Sequence, residues 1–321
     1  MEALTDSDGK QANTITEKED MLKPESLPQD EDNKYFKLPP AGQAQQSVTE
    51  QAVLRAPFVM SIRKAPGQDK PTSRAVRMLT QWATKQIEEQ AEPVVRTGQH
   101  IDVRKWARGV GIWKPGKDDY AQLQAHCSIS LLICMVKVVE KVVAELPAEK
   151  AERRGVLSDG QYGSRTRRSA IDTAAIMFDR AHPAWRHGHI SGVLLLDIKA
   201  AFLSVWRGRL IHTIRDKGMD GDRMQWTASL LTDRTVTMVL EGNVMERHPV
   251  EAGIPQGSPV SVILFAIYTS GLIKRVEERV TRGEGLSFVD DIGLVATGND
   301  LNQVIRRHEA CARVSINLAE R

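Results

Sequence analysis

The sequence predicts an α+β fold in which a largely antiparallel sheet is backed by helices. Three observations support this prediction. A continuous apolar run at 192–198 fits a buried strand. The glycine-containing turn at 241–243 separates two strand-like segments, which is the pattern of a hairpin. Segments with helical spacing lie between and after these strands, so the two kinds of element are mixed along the chain.

Turn residues and hydrophobic spacing divide the chain into elements in the following order. In the first half we expect a turn at 64–69, a helix over 71–89, a short strand at 109–113, and helices over 128–146 and from 169 towards 178. In the second half we expect a strand at 192–198, a helical stretch to about 231, hairpin strands at 235–240 and 244–250, a helix over 258–279, short strands at 286–289 and 292–296, and a final helix over 299–318.

The composition is that of an ordinary globular protein. The chain has 321 residues, of which 41% are hydrophobic and 26% charged, and this balance excludes a disordered or fibrous protein. No apolar run reaches the roughly 18–20 residues of a membrane span, and the polar, acidic start differs from a secretory signal peptide. The 3 cysteines form no Cys-x-x-Cys pair. We therefore expect an intracellular protein without a membrane partner.

Charge is distributed unevenly. Residues 1–50 contain 11 acidic and 5 basic side chains, and residues 1–55 are predicted to form a disordered or loosely attached acidic leader. The remainder is net positive, with basic clusters at 96–117 and 150–168. Such clusters favour a phosphate backbone as partner. A solvated helix surface is the alternative explanation.

Two adjacent acids, Asp290 and Asp291, connect the short apolar strands near the end of the chain. A tight hairpin usually turns on Asn-Gly or Asp-Gly, whereas here two like charges repel each other unless a cation neutralises them. Hard oxygen ligands of this kind suit Mg²⁺ or Mn²⁺. Taken alone, the pair is equally consistent with an acidic turn that faces solvent.

A third acid, Asp197, lies at the end of the apolar run in the middle of the chain. A lone carboxylate in such surroundings is costly without a partner, although it could also cap the following helix. If the two strands are neighbours, Asp197 and Asp290 project from adjacent strand ends into one metal site.

A glycine-rich loop at 253–259 leads into the start of a predicted helix. Gly253 and Gly257 would let the backbone approach a ligand closely, and a helix start favours negative charge. An ordinary turn capped by Ser258 is the alternative explanation.

These three segments, in this order, resemble the palm of reverse transcriptases. Segments 114–120, 130–141 and 161–169 resemble the finger motifs of non-LTR (LINE-like) retrotransposon enzymes, especially fungal ones, and 64–69 resembles a block special to that group. The resemblance covers roughly residues 55–321. It implies the fingers and palm of a right-hand polymerase, with fingers at 56–190 and a palm at 191–321.

The resemblance implies an RNA-directed DNA polymerase, in which a primer 3′-hydroxyl attacks the α-phosphorus of a dNTP on an RNA template. Two Mg²⁺ or Mn²⁺ ions are the implied cofactors, and the DNA primer is the implied second nucleic acid. By the same resemblance, Asp197 and Asp290 are bridging ligands, Asp291 is a weaker or outer ligand, and Phe202 packs against the sugar. A core aromatic is the alternative for Phe202.

The resemblance also assigns roles to residues outside the acids. Their implied partners are phosphates, the nascent base pair and the nucleic-acid strands, and for each basic residue a solvated surface position is the alternative. The implied nucleotide contacts are Phe202, Gln256, Gly257, Lys114 and Lys117, and the implied template or primer contacts are Arg165, Arg168, Gly253, Pro255 and Ser258.

Some positions depart from the family pattern. Cys127 stands where the family has an arginine expected to hold the triphosphate. The chain stops before the motif with a lysine proposed as proton donor and before a thumb, so truncation after the palm is expected. Two hypotheses follow: an RNA-directed DNA polymerase, or a catalytically silent remnant that folds and binds nucleic acid or metal without turnover. Analogy with the family implies action in the nucleus.

Overall fold

The structure, a computed structural model, describes the chain from Leu4 to Ala319 except residues 7, 27–47, 61–64, 68, 101–104, 114, 117, 120, 123–124, 164, 220 and 241. The chain divides into two compact units. The first unit comprises residues 1–146 and 202–261, and the second comprises residues 147–201 and 262–321.

Helices and strands are numbered separately along the chain. They are β1 (Leu4–Thr5), β2 (Gln11–Ala12), α1 (Ile15–Ser26), α2 (Glu50–Val59), α3 (Ser73–Thr80), α4 (Thr84–Thr97), β3 (Trp106–Trp113), β4 (His126–Leu131), α5 (Cys134–Arg153), α6 (Ala170–Arg186), β5 (Ile190–Leu196), α7 (Arg207–Asp216), α8 (Gly221–Leu231), β6 (Arg234–Leu240), β7 (Asn243–Val250), α9 (Ser261–Arg279), β8 (Gly283–Phe288), β9 (Asp291–Gly298) and α10 (Leu301–Ala319).

The first unit contains a four-stranded sheet in the order β4-β3-β6-β7. The predicted hairpin is present, since β6 and β7 pair antiparallel from Arg234 opposite Val250 to Leu240 opposite Asn243. Strand β3 is antiparallel to β4 but parallel to β6, so this sheet is mixed. A core formed by Ala107, Leu132, Val236 and Met238 lies against it.

The predicted helix over 128–146 begins later than expected. Residues up to Leu131 form β4, which pairs with β3, and α5 starts at Cys134. The hydrophobic spacing of this segment is compatible with a helix, but pairing with the preceding strand β3 takes precedence over local preference.

The predicted leader differs from the structure in its first part. Leu4 and Ala12 belong to a two-stranded sheet, and together with Leu22 of α1 they pack against Leu240 of β6. Glu19 Oε1 and His248 Nε2 lie 2.6 Å apart, within hydrogen-bond distance. The apolar residues of the leader are scattered along the sequence, so their burial depends on the surface that β6 offers. Residues 27–47 lie outside the described part.

The second unit contains the antiparallel sheet β5-β9-β8. On one face, Ile273 and Val276 of α9 and Cys311 of α10 form a core with Leu294 of β9. On the opposite face, Leu286 and Val295 pack with Tyr162 and with residues of α6. Helices therefore cover both faces of this sheet, whereas the sequence predicted helices on one face.

Strand β5 is half-buried on one face and exposed on the other. It forms an edge of the sheet, and its side chains Val193 and Leu195 are 42% and 73% exposed. The expected continuous burial of residues 192–198 is therefore corrected. The apolar run has the composition of a strand that is covered on both faces, but β5 packs through Leu194 and Leu196 against one core and leaves Val193 and Leu195 exposed on the other face.

Among the helices that the structure describes, none combines the length and the apolar composition that crossing a lipid bilayer requires.

Candidate active site

The acidic turn is the two-residue connection between β8 and β9. Phe288 pairs with Asp291, which leaves Val289 and Asp290 as the turn itself. Val289 has φ 61°, a conformation that is unusual for a β-branched side chain. The backbone of this turn is therefore held in a sparsely populated conformation next to the two acids.

Asp197 lies at the same end of the same sheet. Strands β5 and β9 are antiparallel neighbours, and their last pair is Leu196 opposite Ile292. One residue further, Asp197 continues β5 where Asp291 begins β9. The strand pairing thus brings Asp197 to the adjacent acids Asp290 and Asp291, from which it is far apart in the sequence.

The three acids differ in exposure. Asp197 and Asp291 are exposed, and Asp290 is half-buried. Burial, followed by the nearby charges of Asp291 and Asp197, raises the pKa of the Asp290 carboxyl above its usual range. The charges of these acids therefore oppose one another, and a cation at this end of the sheet would relieve the repulsion.

Within the described ranges, no group of three or more His, Cys, Asp and Glu side chains is arranged to hold a metal ion. The acids share one end of the sheet without forming a closed cage. Their donor set still fits Mg²⁺, which keeps several water ligands and is commonly bound through only one or two carboxylates plus substrate phosphates.

A short segment with two glycines packs directly behind the acidic turn. The Tyr162 N–H donates to the Ser287 carbonyl and the Ser287 N–H donates to the Gly160 carbonyl, both at 2.8 Å. A Cβ atom on Gly163 would lie 2.5 Å from the Val289 nitrogen and 2.7 Å from its Cγ2. The sequence identifies this segment only by its resemblance to a finger motif, although the spacing of Gly160 and Gly163 is a signal of close backbone packing.

Arg165, a predicted template contact, is bound within this segment. Its Nε and Nη2 donate to the two carboxylate oxygens of Glu152 at 2.5 and 2.6 Å, and its Nη1 donates to the carbonyls of Ser158 and Gln161. The side chain is 6% exposed. The structure therefore gives this guanidinium internal partners.

Arg168, the second predicted template contact, is more accessible. Its guanidinium carbon lies 4.8 Å from the centre of the Tyr162 ring, and its Nη1 donates to the Asp159 carbonyl. The side chain is 25% exposed. Both arginines belong to the second unit, as do the three acids.

The predicted nucleotide loop belongs to the first unit, together with Phe202. The Ile254 N–H donates to the Phe202 carbonyl at 2.8 Å, and the Gly253 N–H donates to the Val205 carbonyl. Gly253 has φ 70°, and a Cβ there would lie 2.7 Å from Leu203 Cα. The loop and the backbone around Phe202 are therefore packed in direct contact.

The second half of the loop is fixed to β4. The Ser130 N–H donates to the Gln256 carbonyl at 3.2 Å. Gly257 has φ 123°, and a Cβ there would lie 2.6 Å from the Ser130 carbonyl oxygen. The Pro255 carbonyl accepts from the Ser261 hydroxyl at 2.8 Å. Glycine is thus required at position 257 by both conformation and space.

Ser258 has an internal partner that the sequence did not indicate. Its hydroxyl donates to the Glu140 carboxylate at 2.7 Å, and the other oxygen of Glu140 lies 3.3 Å from His100 Nε2. Both Ser258 and Glu140 are buried. The helix begins at Ser261, three residues later than predicted.

Arg234 binds the backbone at the start of the 253–259 loop. Its Nη2 donates to the carbonyls of Ala252 and Gly253 at 2.7 and 2.6 Å. Burial, together with the nearby charge of Arg207, lowers the pKa of Arg234 to about 9. Its position before a predicted strand gave no sign of this role.

Two predicted nucleotide contacts, Lys114 and Lys117, lie outside the described residues. Cys127, the departure from the family pattern, lies in β4 opposite Ile112.

The chain is similar in sequence to proteins of known family. The family model described as reverse transcriptase (RNA-dependent DNA polymerase) matches residues 115–318. The chain is similar to the RNA-directed DNA polymerase from mobile element jockey of Drosophila funebris, with 25% identity over 236 residues, covering 73% of the chain and 26% of that protein. It is similar to the probable RNA-directed DNA polymerase from transposon BS of Drosophila melanogaster, with 23% identity over 250 residues, covering 77% of the chain and 27% of that protein.

A further similarity is to the retrovirus-related Pol polyprotein from type-1 retrotransposable element R2 of Popillia japonica, with 27% identity over 116 residues, covering 34% of the chain and 19% of that protein. The chain spans about a quarter of the length of the jockey and BS proteins.

Proposed function

The chain belongs to the reverse transcriptase (RNA-dependent DNA polymerase) family, and from this membership we propose that it carries out RNA-directed DNA synthesis as the polymerase domain of a non-LTR retrotransposon. The names of the jockey and BS relatives support this proposal. The arrangement of helices and sheets is consistent with a reverse transcriptase fold. Fingers at 56–190 and a palm at 191–321 are part of the proposal.

The observation that carries the proposal is the convergence of Asp197, Asp290 and Asp291 at one end of the β5-β9-β8 sheet. In the proposed role, Asp197 and Asp290 hold two divalent ions and Asp291 acts as a weaker or outer ligand. Bound Mg²⁺ or Mn²⁺ would supply activation of the primer 3′-hydroxyl and stabilisation of the charge on the leaving pyrophosphate. The half-buried Asp290, repelled by its neighbours, has the most to gain from a cation.

The loop at 253–257 is proposed to contact the incoming nucleotide. Gln256 and Gly257 would lie against the nascent base pair, and Phe202 would pack against the sugar. The hydrogen bond from the Ile254 N–H to the Phe202 carbonyl holds the loop next to Phe202 and so supports contact of both with the same nucleotide. Lys114 and Lys117 remain proposed phosphate contacts.

The proposed template and primer contacts are refined by their surroundings. Arg168, with an accessible guanidinium, is the better candidate for a phosphate contact. Arg165 and Ser258 bind internal partners, so we propose that they support the site from within. Gly253 and Pro255 would contribute through their backbone.

Primer extension tests the proposal. The full chain is expected to incorporate dNTPs on an RNA template with Mg²⁺ or Mn²⁺, and Asp290→Asn, which keeps the side-chain shape, is expected to reduce incorporation more than about 100-fold, since loss of even an outer-shell partner costs about 10- to 100-fold. Asp179→Asn removes an exposed acid of α6 and serves as the matched control. Equal incorporation by wild type and Asp290→Asn would remove the acids from the mechanism.

A catalytically silent remnant is the second candidate, and Cys127 in place of the family's arginine favours it. In that case the intact chain shows no incorporation, while Mn²⁺ raises the melting temperature of wild type and leaves that of Asp290→Asn unchanged. Restoring the arginine with Cys127→Arg is expected to increase incorporation if this departure limits activity.

Fungal origin and action in the nucleus remain predictions. The relatives named above come from insects. A phylogeny of reverse transcriptase domains that groups the chain with fungal elements would support the first, and nuclear localisation of a tagged full chain would support the second.

A further inference from the structure

A cleft lined by arginines lies on the second unit, where the end of α9 meets the start of α10. It has a volume of about 320 Å³ and is lined by Arg279, Thr281, Gln303, Arg306 and Arg307, with Val280 and Ala310 at its base. This volume is at the lower end of the roughly 300–1,000 Å³ typical of ligand clefts. Below, these residues are called the arginine cleft.

The arginine cleft lies at the opposite end of the sheet from the acids. Strand β8 begins at Gly283, just after α9, and runs to the acidic turn, while β9 returns from that turn to Gly298, just before α10. Six residues of strand span about 20 Å. The cleft is therefore separate from the proposed metal site.

No acidic side chain of the described residues lines the arginine cleft to neutralise its arginines. Neither Arg279 nor Arg306 has a hydrogen-bond or ion-pair partner in the described part of the chain, and both are exposed. The residues that line the cleft include no Asp or Glu. Asp300, at the start of α10, accepts hydrogen bonds from the backbone and side chain of Gln303.

Arg307 is held in position by the strand below it, because its Nη1 donates to the Thr297 carbonyl. This contact orients the guanidinium beside the two unpaired arginines. Three like charges in one recess repel one another, and an anion would reverse that unfavourable term.

Basic character extends beyond the cleft along α9. A smaller recess of about 150 Å³ is lined by Arg275, Arg279 and Asn317, again with no acidic residue. Arg275 and Arg279 are four residues apart and so lie on one face of the helix. Arg279 lines both recesses, which makes a continuous track of cationic side chains.

We propose that the arginine cleft binds the phosphate backbone of a nucleic acid, as a second contact surface separate from the acid end of the sheet. Guanidinium groups match phosphate with paired donors. No aromatic side chain lines either recess, so neither recess offers an aromatic platform on which bases would stack. Binding is therefore expected to depend on salt and not on sequence.

Fluorescence anisotropy with labelled single-stranded RNA tests this inference on the full chain. Arg279→Ala with Arg306→Ala is expected to weaken binding about tenfold, by a similar factor for two unrelated sequences, and to reduce the slope of log K against log salt by about 1.4. Parallel titrations with single-stranded DNA and an RNA–DNA duplex identify which nucleic acid supplies the phosphates.

The matched control removes the same charge from the first unit. Arg209 and Arg215 are exposed on α7, so Arg209→Ala with Arg215→Ala should leave both affinity and salt slope unchanged. An equal loss in both double variants would reduce the effect to net charge and overturn the inference.

RNA binding by a metal-site variant keeps this inference distinct from the proposed polymerase function. Asp290→Asn is expected to bind RNA as wild type does, even if incorporation is lost. Unchanged RNA affinity in Arg279→Ala with Arg306→Ala overturns the inference. Binding of both proteins to phosphatidylserine vesicles is measured as well, and a double variant that loses vesicle binding but keeps RNA binding also overturns it. Because both arginines are exposed, the melting temperature should be retained. If the melting temperature of the double variant falls, Arg306→Gln alone is used instead. This variant is expected to retain the wild-type melting temperature and to lower the RNA affinity and the salt slope. An unchanged RNA affinity in this folded variant overturns the inference.

Discussion

At the residue scale, Asp69 connects the predicted turn at 64–69 to the start of α5. Its Oδ2 accepts from the Cys134 N–H at the start of α5, at 3.2 Å, while its Oδ1 is buried and has no hydrogen-bond partner among the residues that the structure describes. Nearby, a Cβ on Gly67 would lie 2.6 Å from the Leu132 carbonyl. Gly67 and Asp69, the described residues that carry these contacts, are therefore fitted against the chain that leads into α5.

The Asp69 carboxyl gives the protein a predicted pH dependence. Burial raises its pKa above the ordinary value, so between the ordinary and the raised pKa the folded state binds more protons than the unfolded state. Its stabilising contribution is present at low pH and is lost as pH rises through the raised pKa. Asp69→Asn should remove this contribution, so its stability relative to wild type should rise from acid to neutral pH. Denaturant unfolding of both proteins across that range measures the difference, and a constant difference would contradict it.

The sequence predicts some residues of the candidate site and gives no signal for others. Asp197, Asp290 and Asp291 could be proposed because a charge at the end of an apolar strand is costly and therefore informative. Glu140 and Arg234 were missed, since each lies in a segment whose local pattern predicts only a helix or a strand. Their hydrogen bonds to Ser258 and Gly253 join residues distant in sequence.

At the element scale, the acidic turn depends on the segment that packs behind it. Gly160 and Tyr162 exchange backbone hydrogen bonds with Ser287 of β8, which adds a parallel bridge beside the sheet. Gly163 touches the turn at Val289, where the backbone has a positive φ. The packing fixes a conformation that the turn alone would rarely adopt.

Gly163→Ala is expected to displace the turn and so misplace Asp290. If the proposed function holds, incorporation should fall about 10- to 100-fold, as for other groups that support metal ligands, and the Mn²⁺ concentration for half-maximal activity should rise. Gly271→Ala is the matched control, because a Cβ there meets nothing within 4 Å.

Thermal unfolding separates displacement of the turn from general instability. Alanine in the interior of α9 should stabilise Gly271→Ala by up to about 1 kcal/mol. Wild-type incorporation and Mn²⁺ dependence in a folded Gly163→Ala variant would show that the contact with Val289 does not position the acid.

At the scale of the whole molecule, the described part of the predicted leader packs against the rest of the first unit. Leu4 is fully buried, and Leu22 and Ala12 share its cluster with Leu240. Composition alone predicted a leader that is disordered or loosely attached, because its apolar residues are few and scattered. The partner that buries them lies more than two hundred residues away.

A single substitution tests this difference. Leu4→Ala should destabilise the protein by about 2–5 kcal/mol, as expected for a buried leucine, whereas Leu79→Ala, at a side chain that is 55% exposed, should change stability by less than about 0.5 kcal/mol. Chemical denaturation measures both. Equal, small effects would mean that the leader does not contribute to the fold.

The sequence by itself determined the family resemblance, the hairpin of β6 and β7, and the acids that could carry the chemistry, because charge, glycine and apolar periodicity act locally. Only the tertiary structure decided that β5 is an edge strand, that the leader has a partner, and that Arg165 and Ser258 bind within the protein. Burial and hydrogen bonding are properties of pairs of segments, and the second member of each pair is set by how the chain folds back on itself.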